Sequence, residues 1–164
     1  MKQIPLEWND YDVILGEEMI INSWKFSKIF KHAPRKFLMN PKLFFKKNQN
    51  IKLHFDMHHG FGVLDKAINV MKNEDREKFR EFVNKETKFN PHIMVISKKK
   101  ILNRWFKDLF NWLFKCEKIF GFKSLKGYDQ QRLYAFLAER YLSFWFLNKT
   151  TYLESDWCFF EIKR

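Results

Sequence analysis

Hydrophobic positions change their spacing several times along this chain, and each change marks an element. Tyr11 to Leu15, Tyr-Asp-Val-Ile-Leu, is a short β-branched run closed by Gly16 and predicts a buried strand. Ile93 to Ser97, Ile-Met-Val-Ile-Ser, predicts a second strand just after Pro91. Between them, Leu64, Ile68 and Met71 make a helical stripe that runs to Lys72. A second amphipathic helix, with Asn73 as its cap, carries Phe79, Phe82 and Val83. Its charges Glu74, Asp75, Arg76, Glu77 and Lys78 read as a solvated face. From Ile101 to Phe120, apolar residues at three- and four-residue steps predict a long helix in which Trp105, Trp112 and Cys116 are packing residues. Thr150 to Glu154 and Trp157 to Ile162 are strand-like. The stretch from Glu17 to Asn50 is lysine-rich and partly irregular: Trp24, Phe26, Ile29 and Phe30 fit a short helical face, which Pro34 and Pro41 interrupt.

The stretch Gly127 to Phe146 has a different pattern. At about 100° per residue its apolar side chains, from Leu133 and Tyr134 to Phe144 and Trp145, cover most of the circumference, which predicts a buried helix. Asp129, Arg132, Glu139, Arg140 and Ser143 fall on the remaining side as a narrow polar stripe. Buried charges are stable only when paired. The stripe is therefore either an internal network or the lining of a cleft for a polar ligand, and both readings stay open at this level.

Composition narrows the setting. The 164 residues are 46% hydrophobic, with 20 phenylalanines and six tryptophans, enough for one domain with a substantial core spanning residues 1–164. Charged residues such as Lys107, Lys115 and Glu117 interrupt the longest apolar stretch well short of the roughly 20 residues a membrane span needs. Met1 to Asp10 lacks the apolar region of a signal peptide. Cys116 and Cys158 form no zinc-type pattern, and a reducing cytoplasm is the expected location. The net charge of +12 favours phosphate-bearing partners, whether nucleic acid, an anionic membrane surface or a nucleotide-activated substrate.

Candidate chemistry concentrates in Ile51 to Gly62, where His54, Asp56, His58 and His59 lie close to Gly60 and Gly62. Imidazole and carboxylate suit a divalent metal. No helical His-Glu-x-x-His spacing holds such ligands on one face, so contact of His58 and His59 with a phosphate or sugar is favoured over a metal, with Gly60 and Gly62 allowing close backbone approach; the alternative is one histidine that caps or packs while the others are solvated. No dinucleotide fingerprint, Walker loop or nucleophile elbow is present, and Glu154-Ser155-Asp156 only loosely imitates an Asp-x-Asp metal motif.

Several segments, taken in order, carry a family resemblance. Asn9-Asp10-Tyr11-Asp12-Val13-Ile14-Leu15 looks like a "kyDIILP" strand, and Leu64-Asp65-Lys66-Ala67-Ile68 after the histidines looks like a "LdkaiEii" helix. Asn90-Pro91-His92-Ile93-Met94-Val95-Ile96 sits where a "pyNMFI" strand belongs, with Ile93 in place of the asparagine. Trp112-Leu113-Phe114 with Glu117 is similar to "WLFpiLfelE", and Phe136 to Trp145 is similar to a closing "FlaERllsvWl" helix. Together they resemble a bacterial glycosyltransferase-like family, long labelled a domain of unknown function, of capsular-polysaccharide and other surface-glycan synthesis.

The resemblance implies an α/β, partial GT-A-like fold with short strands and large aromatic-rich helices, corresponding to the C-terminal portion of a longer transferase. It implies a nucleotide-sugar donor, a glycan or lipid-linked acceptor, a divalent metal such as manganese or magnesium as a possible cofactor, and work at the inner face of the membrane with peripheral attachment to anionic lipid. Carried over by position, Asp129 and Glu139 become candidate catalytic residues, and His58, His59, Arg132 and Arg140 candidate substrate-binding residues. The alternatives are a non-catalytic remnant or subunit whose partner chain supplies an N-terminal half, and a basic nucleic-acid-binding protein.

Overall fold

The computed structural model describes residues 5–21, 34–39, 41 and 49–156. The helical face expected of Trp24, Phe26, Ile29 and Phe30, and the strand expected at 157–162 with Cys158, lie outside the described residues. In chain order, a 3-10 turn at Leu6–Asp10 leads into β1 (Val13–Gly16) and β2 (Met19–Ile20). Then come α1 (Pro34–Met39), α2 (Ile51–His59), α3 (Val63–Asn69) and α4 (Asn73–Lys85). β3 (Lys88–Phe89), β4 (Val95–Ser97), α5 (Lys99–Phe120), α6 (Tyr128–Gln131), α7 (Leu133–Lys149) and β5 (Tyr152–Ser155) complete it. The fold is mixed α/β and dominated by helix, as the hydrophobic spacing predicts.

β1 is the middle strand of a three-stranded sheet ordered β4-β1-β5. It runs antiparallel to β4, with Ile14 opposite Ile96, and parallel to β5, with Ile14 opposite Leu153. Because side chains alternate across a strand, Val13 and Leu15 enter the core with helices α2 to α5 and α7 while Ile14 turns to the opposite face. β2 and β3 form a separate antiparallel pair.

α7 is the helix against which the others pack. Its residues from Leu137 to Phe146 are buried without interruption, which matches a helix apolar nearly all round. Phe79 of α4 meets Tyr141 and Phe144, while Trp105 of α5 meets Phe146 and Trp112 meets Tyr141. Trp112 also donates its indole N–H to the Ala67 carbonyl at 2.7 Å, so both tryptophans are packing residues, as expected. Cys116 is buried among them, and burial pushes its thiol up to about 12. Among the described residues, no helix is long and apolar enough to cross a membrane.

The structure corrects three expectations. Lys72, not Asn73, occupies the cap position of α4. Asp75 is buried and not part of a solvated face, since it accepts a 3.0 Å hydrogen bond from Lys149 at the end of α7. The stretch from Gly127 is two helices, because Arg132 leaves the helical conformation at φ −94°, ψ 10°.

The histidine segment is itself a helix. Asn50 caps α2 by accepting from the Leu53 N–H at 2.8 Å, and its amide donates to the Asn84 carbonyl at 2.9 Å. Gly60, with φ 102°, ends α2 in a conformation that favours glycine. Asn50→Ala removes both hydrogen bonds and is expected to cost about 1–2 kcal/mol, read as a lower urea midpoint. An unchanged midpoint would mean that the cap does not hold α2.

Candidate functional site

α2 and α7 cross where the polar residues of both helices meet. Arg140 is 1% exposed, and its Nη1 donates to the Glu139 carboxylate at 2.8 Å. Its Nη2 lies 3.1 Å from His54 Nδ1. A guanidinium only donates, so His54 accepts through Nδ1 and carries its ring proton on Nε2. The guanidinium lies over Phe89 at 4.1 Å and within 6 Å of Phe136 and Phe55, so aromatic faces supply the rest of its surroundings. Among the described residues, the Arg140 Nε–H has no acceptor. Burial pulls the guanidinium down to about 10, against the pull of Glu139, and it remains a cation at neutral pH.

His59 is fixed from the other side of α2. Its ring sits between Phe55 and Phe136, at 4.5 and 4.4 Å between centroids, and its Nδ1 is 3.1 Å from the Asp129 carbonyl. A carbonyl can only accept, so Nδ1 bears the proton. Nε2 is buried without a hydrogen-bond partner among the described residues. Burial, then the positive charge of Arg140 and the neighbouring His58, bring His59 down to about 3, so it is neutral at physiological pH. His58 packs against His54 with ring centroids 4.7 Å apart and planes tilted by 51°, and is half-exposed.

A second polar network ties α7 to the sheets. The Asn90 N–H donates to the Ser143 hydroxyl at 2.8 Å, and that hydroxyl donates back to Asn90 Oδ1 at 3.1 Å. Asn90 Nδ2 donates to the Gly16 carbonyl at 2.7 Å. Gly16 is the last residue of β1, and together with Ile14, Ser155 and Asp156 it lines a groove of about 470 Å³ walled by Trp8, Met94 and Ile96. This groove lies at the carboxyl ends of the parallel pair β1 and β5.

The stripe predicted on one helix is thus divided by the break at Arg132. Glu139, Arg140 and Ser143 are buried and paired, the network reading of those three. Asp129 is half-exposed, and Arg132 is exposed, hydrogen-bonded to the Tyr128 hydroxyl and stacked on Tyr128 and Phe136 at 5.1 and 5.2 Å. His59 and Asp129 are joined directly, and Arg140 and Glu139 are joined directly. Phe136 links the two halves, lying under Arg132, Arg140 and His59.

Among the described residues, no group of three or more His, Cys, Asp or Glu side chains could hold a metal ion. Asp56 instead binds Lys52 at 2.7 Å, and Lys52 also binds Asp65 at 2.8 Å, while His54 faces Arg140. Burial raises the Asp56 carboxyl, tempered by Lys52.

A family described as "Domain of unknown function (DUF4422)" matches residues 10–150, a span that includes the polar cluster. The chain belongs to the DUF4422 family. No curated protein and no solved structure matches it. The DUF4422 match covers all six predicted site residues, together with two that the sequence did not single out for the site. These are His54, weighed only as a metal ligand, and Asn90. The signal for His54 is the helix start at Asn50 and the stop at Gly60, which put His54 and His58 one turn apart. Asn90 had no local signal, since its partners Gly16 and Ser143 are remote in the chain.

Proposed function

We propose that this DUF4422 protein transfers a hexose from a nucleotide sugar to a glycan or lipid-linked acceptor of a surface polysaccharide. The observation that carries the proposal is the groove at the carboxyl ends of β1 and β5. In open α/β sheets, ligands bind outside those strand ends. Trp8 offers a ring for a base to stack on, Ser155 and Asp156 offer hydrogen-bonding groups, and Gly16 permits close approach of a ligand to the backbone. Asn90 links Gly16 to α7, and Phe89 beside it carries Arg140 on its face.

None of Arg132, His58, Arg140 and His59 lines the groove; in this reading they act on a diphosphate that extends beyond it, as the charge on the leaving group grows. A carboxylate takes the proton of the acceptor hydroxyl. The hydroxyl oxygen bonds to the anomeric carbon, and the bond from that carbon to the diphosphate breaks with its electron pair leaving on the nucleoside diphosphate. Asp129 is the preferred base, because it is half-exposed to an incoming acceptor whereas Glu139 is buried.

The test is calorimetry with uridine diphosphate as probe, together with nucleoside diphosphate release from a panel of nucleotide hexoses. Binding by the folded chain is expected, weakened about tenfold or more in Arg132→Ala through loss of a charge-assisted contact. Absence of both binding and release across the panel would overturn the proposal. Exposed Ile96 on the edge strand β4, with exposed Ile93 and Met94 just before it, favours a second reading, a subunit whose sheet a partner chain extends. That reading predicts nucleotide binding without turnover until the partner is added.

A further inference from the structure

The outer face of α5 carries a second surface, unrelated to the groove. Phe106, Phe110 and Phe114 follow one another at four-residue steps and are 41%, 47% and 58% exposed. Their ring centroids follow one another along the helix at 6.1 and 6.0 Å, the first pair stacked and the second tilted by 31°. Helical spacing puts Lys100, Lys107 and Lys118 in a line beside this ladder, Lys107 midway between Lys100 and Phe114, and all three lysines are exposed. Of the two acids on α5, Asp108 is turned inward to the Trp145 indole and Lys72, while Glu117 falls in line with Phe106 and Phe110 and is half-buried. An aromatic strip bordered by lysines on a helix lying flat on its own protein is the arrangement that seats a helix at a membrane interface, rings among the acyl chains and ammonium groups among anionic headgroups.

We infer that the Phe106-Phe110-Phe114 face of α5 docks on an anionic lipid surface. The surface is convex. A protein partner would need a groove complementary to three successive rings, whereas a fluid bilayer adapts to a convex strip and its headgroup phosphates adapt to the lysines. The chain's net charge of +12 acts in the same sense over longer range. This surface does not depend on the transferase reading, and neither result decides the other.

The experiment is flotation of the full chain with phosphatidylcholine vesicles, with and without about 30 mol% phosphatidylglycerol, at low and high salt. Binding to the anionic vesicles alone is expected, weakened by salt. Phe110→Ser with Phe114→Ser is expected to lower the bound fraction at least tenfold, and Lys107→Gln or Lys118→Gln about fivefold each. Urea unfolding of each variant checks the fold, and if the serine pair disturbs it, the glutamine variants carry the test alone. Failure to bind anionic vesicles, or binding that survives all of these substitutions, overturns the inference. A concentration-dependent dimer that the serine pair dissolves, without vesicle binding, assigns the face to a second copy of the chain and likewise overturns it.

Discussion

Replacing Arg140 with alanine is expected to destabilise the protein by about 3–5 kcal/mol, the range found when one partner of a buried ion pair is removed. The effect has three parts. Glu139, 9% exposed, keeps a carboxylate that has lost its 2.8 Å donor. His54 Nδ1 loses the N–H it accepts from. The space among Phe89, Phe55 and Phe136 that the guanidinium occupied is left unfilled. Urea unfolding at neutral pH measures the loss. The pair Glu139→Gln with Arg140→Met neutralises both charges and retains most of the volume, and it is expected to recover a large part of that stability. A loss below about 1 kcal/mol for Arg140→Ala would put the pair in the class of solvated surface bridges. If the double variant is no more stable than the single one, the carboxylate is not the source of the penalty.

Acidification is expected to weaken the fold through His59. Its folded value is about 3 against an ordinary 6.5, so between those limits the unfolded chain binds a proton that the folded chain refuses. Stability therefore falls as pH drops from about 6.5 towards 3 and levels off below that. The full span corresponds to on the order of 4–5 kcal/mol, of which roughly 2–3 is lost by pH 4.5. The physical cause is that a charged imidazole would lie buried between Phe55 and Phe136, close to the Arg140 cation. His59→Phe keeps a ring in that sandwich and removes the titration. Its urea midpoint, lower at neutral pH through loss of the bond to the Asp129 carbonyl, is expected to depend on pH less steeply than that of the unchanged protein. Equal slopes from pH 7 to 4.5 would show that His59 takes up its proton without resistance.

These two residues show where sequence reading reached the candidate site and where it stopped. The polar stripe on the helix after Gly127 was visible because charged side chains stand out among residues that are otherwise apolar all round. Its division was not visible, because the break at Arg132 needs neither proline nor glycine. There the arginine leaves the helical conformation while its side chain stacks on Tyr128 and Phe136. α2 was obscured for a related reason: three histidines and an aspartate in nine residues resemble a ligand cluster more than a helix. What buries His54 and His59 is contact with Phe89, Phe136 and Arg140, all far along the chain.

By itself the sequence determined the strands at β1, β4 and β5, the helices α3 to α5, the burial of α7 and the core roles of Trp105, Trp112 and Cys116. These follow from local periodicity, since an element that repeats its apolar residues every two or 3.6 positions has one way to hide them from water. The tertiary structure alone decided which charges meet. His54 reaches Arg140 across 86 residues, and Asn90 reaches Ser143 across 53. A hydrogen bond between groups so distant in sequence depends on the relative position of two packed elements to within a few tenths of an ångström, and no periodicity within either element encodes that.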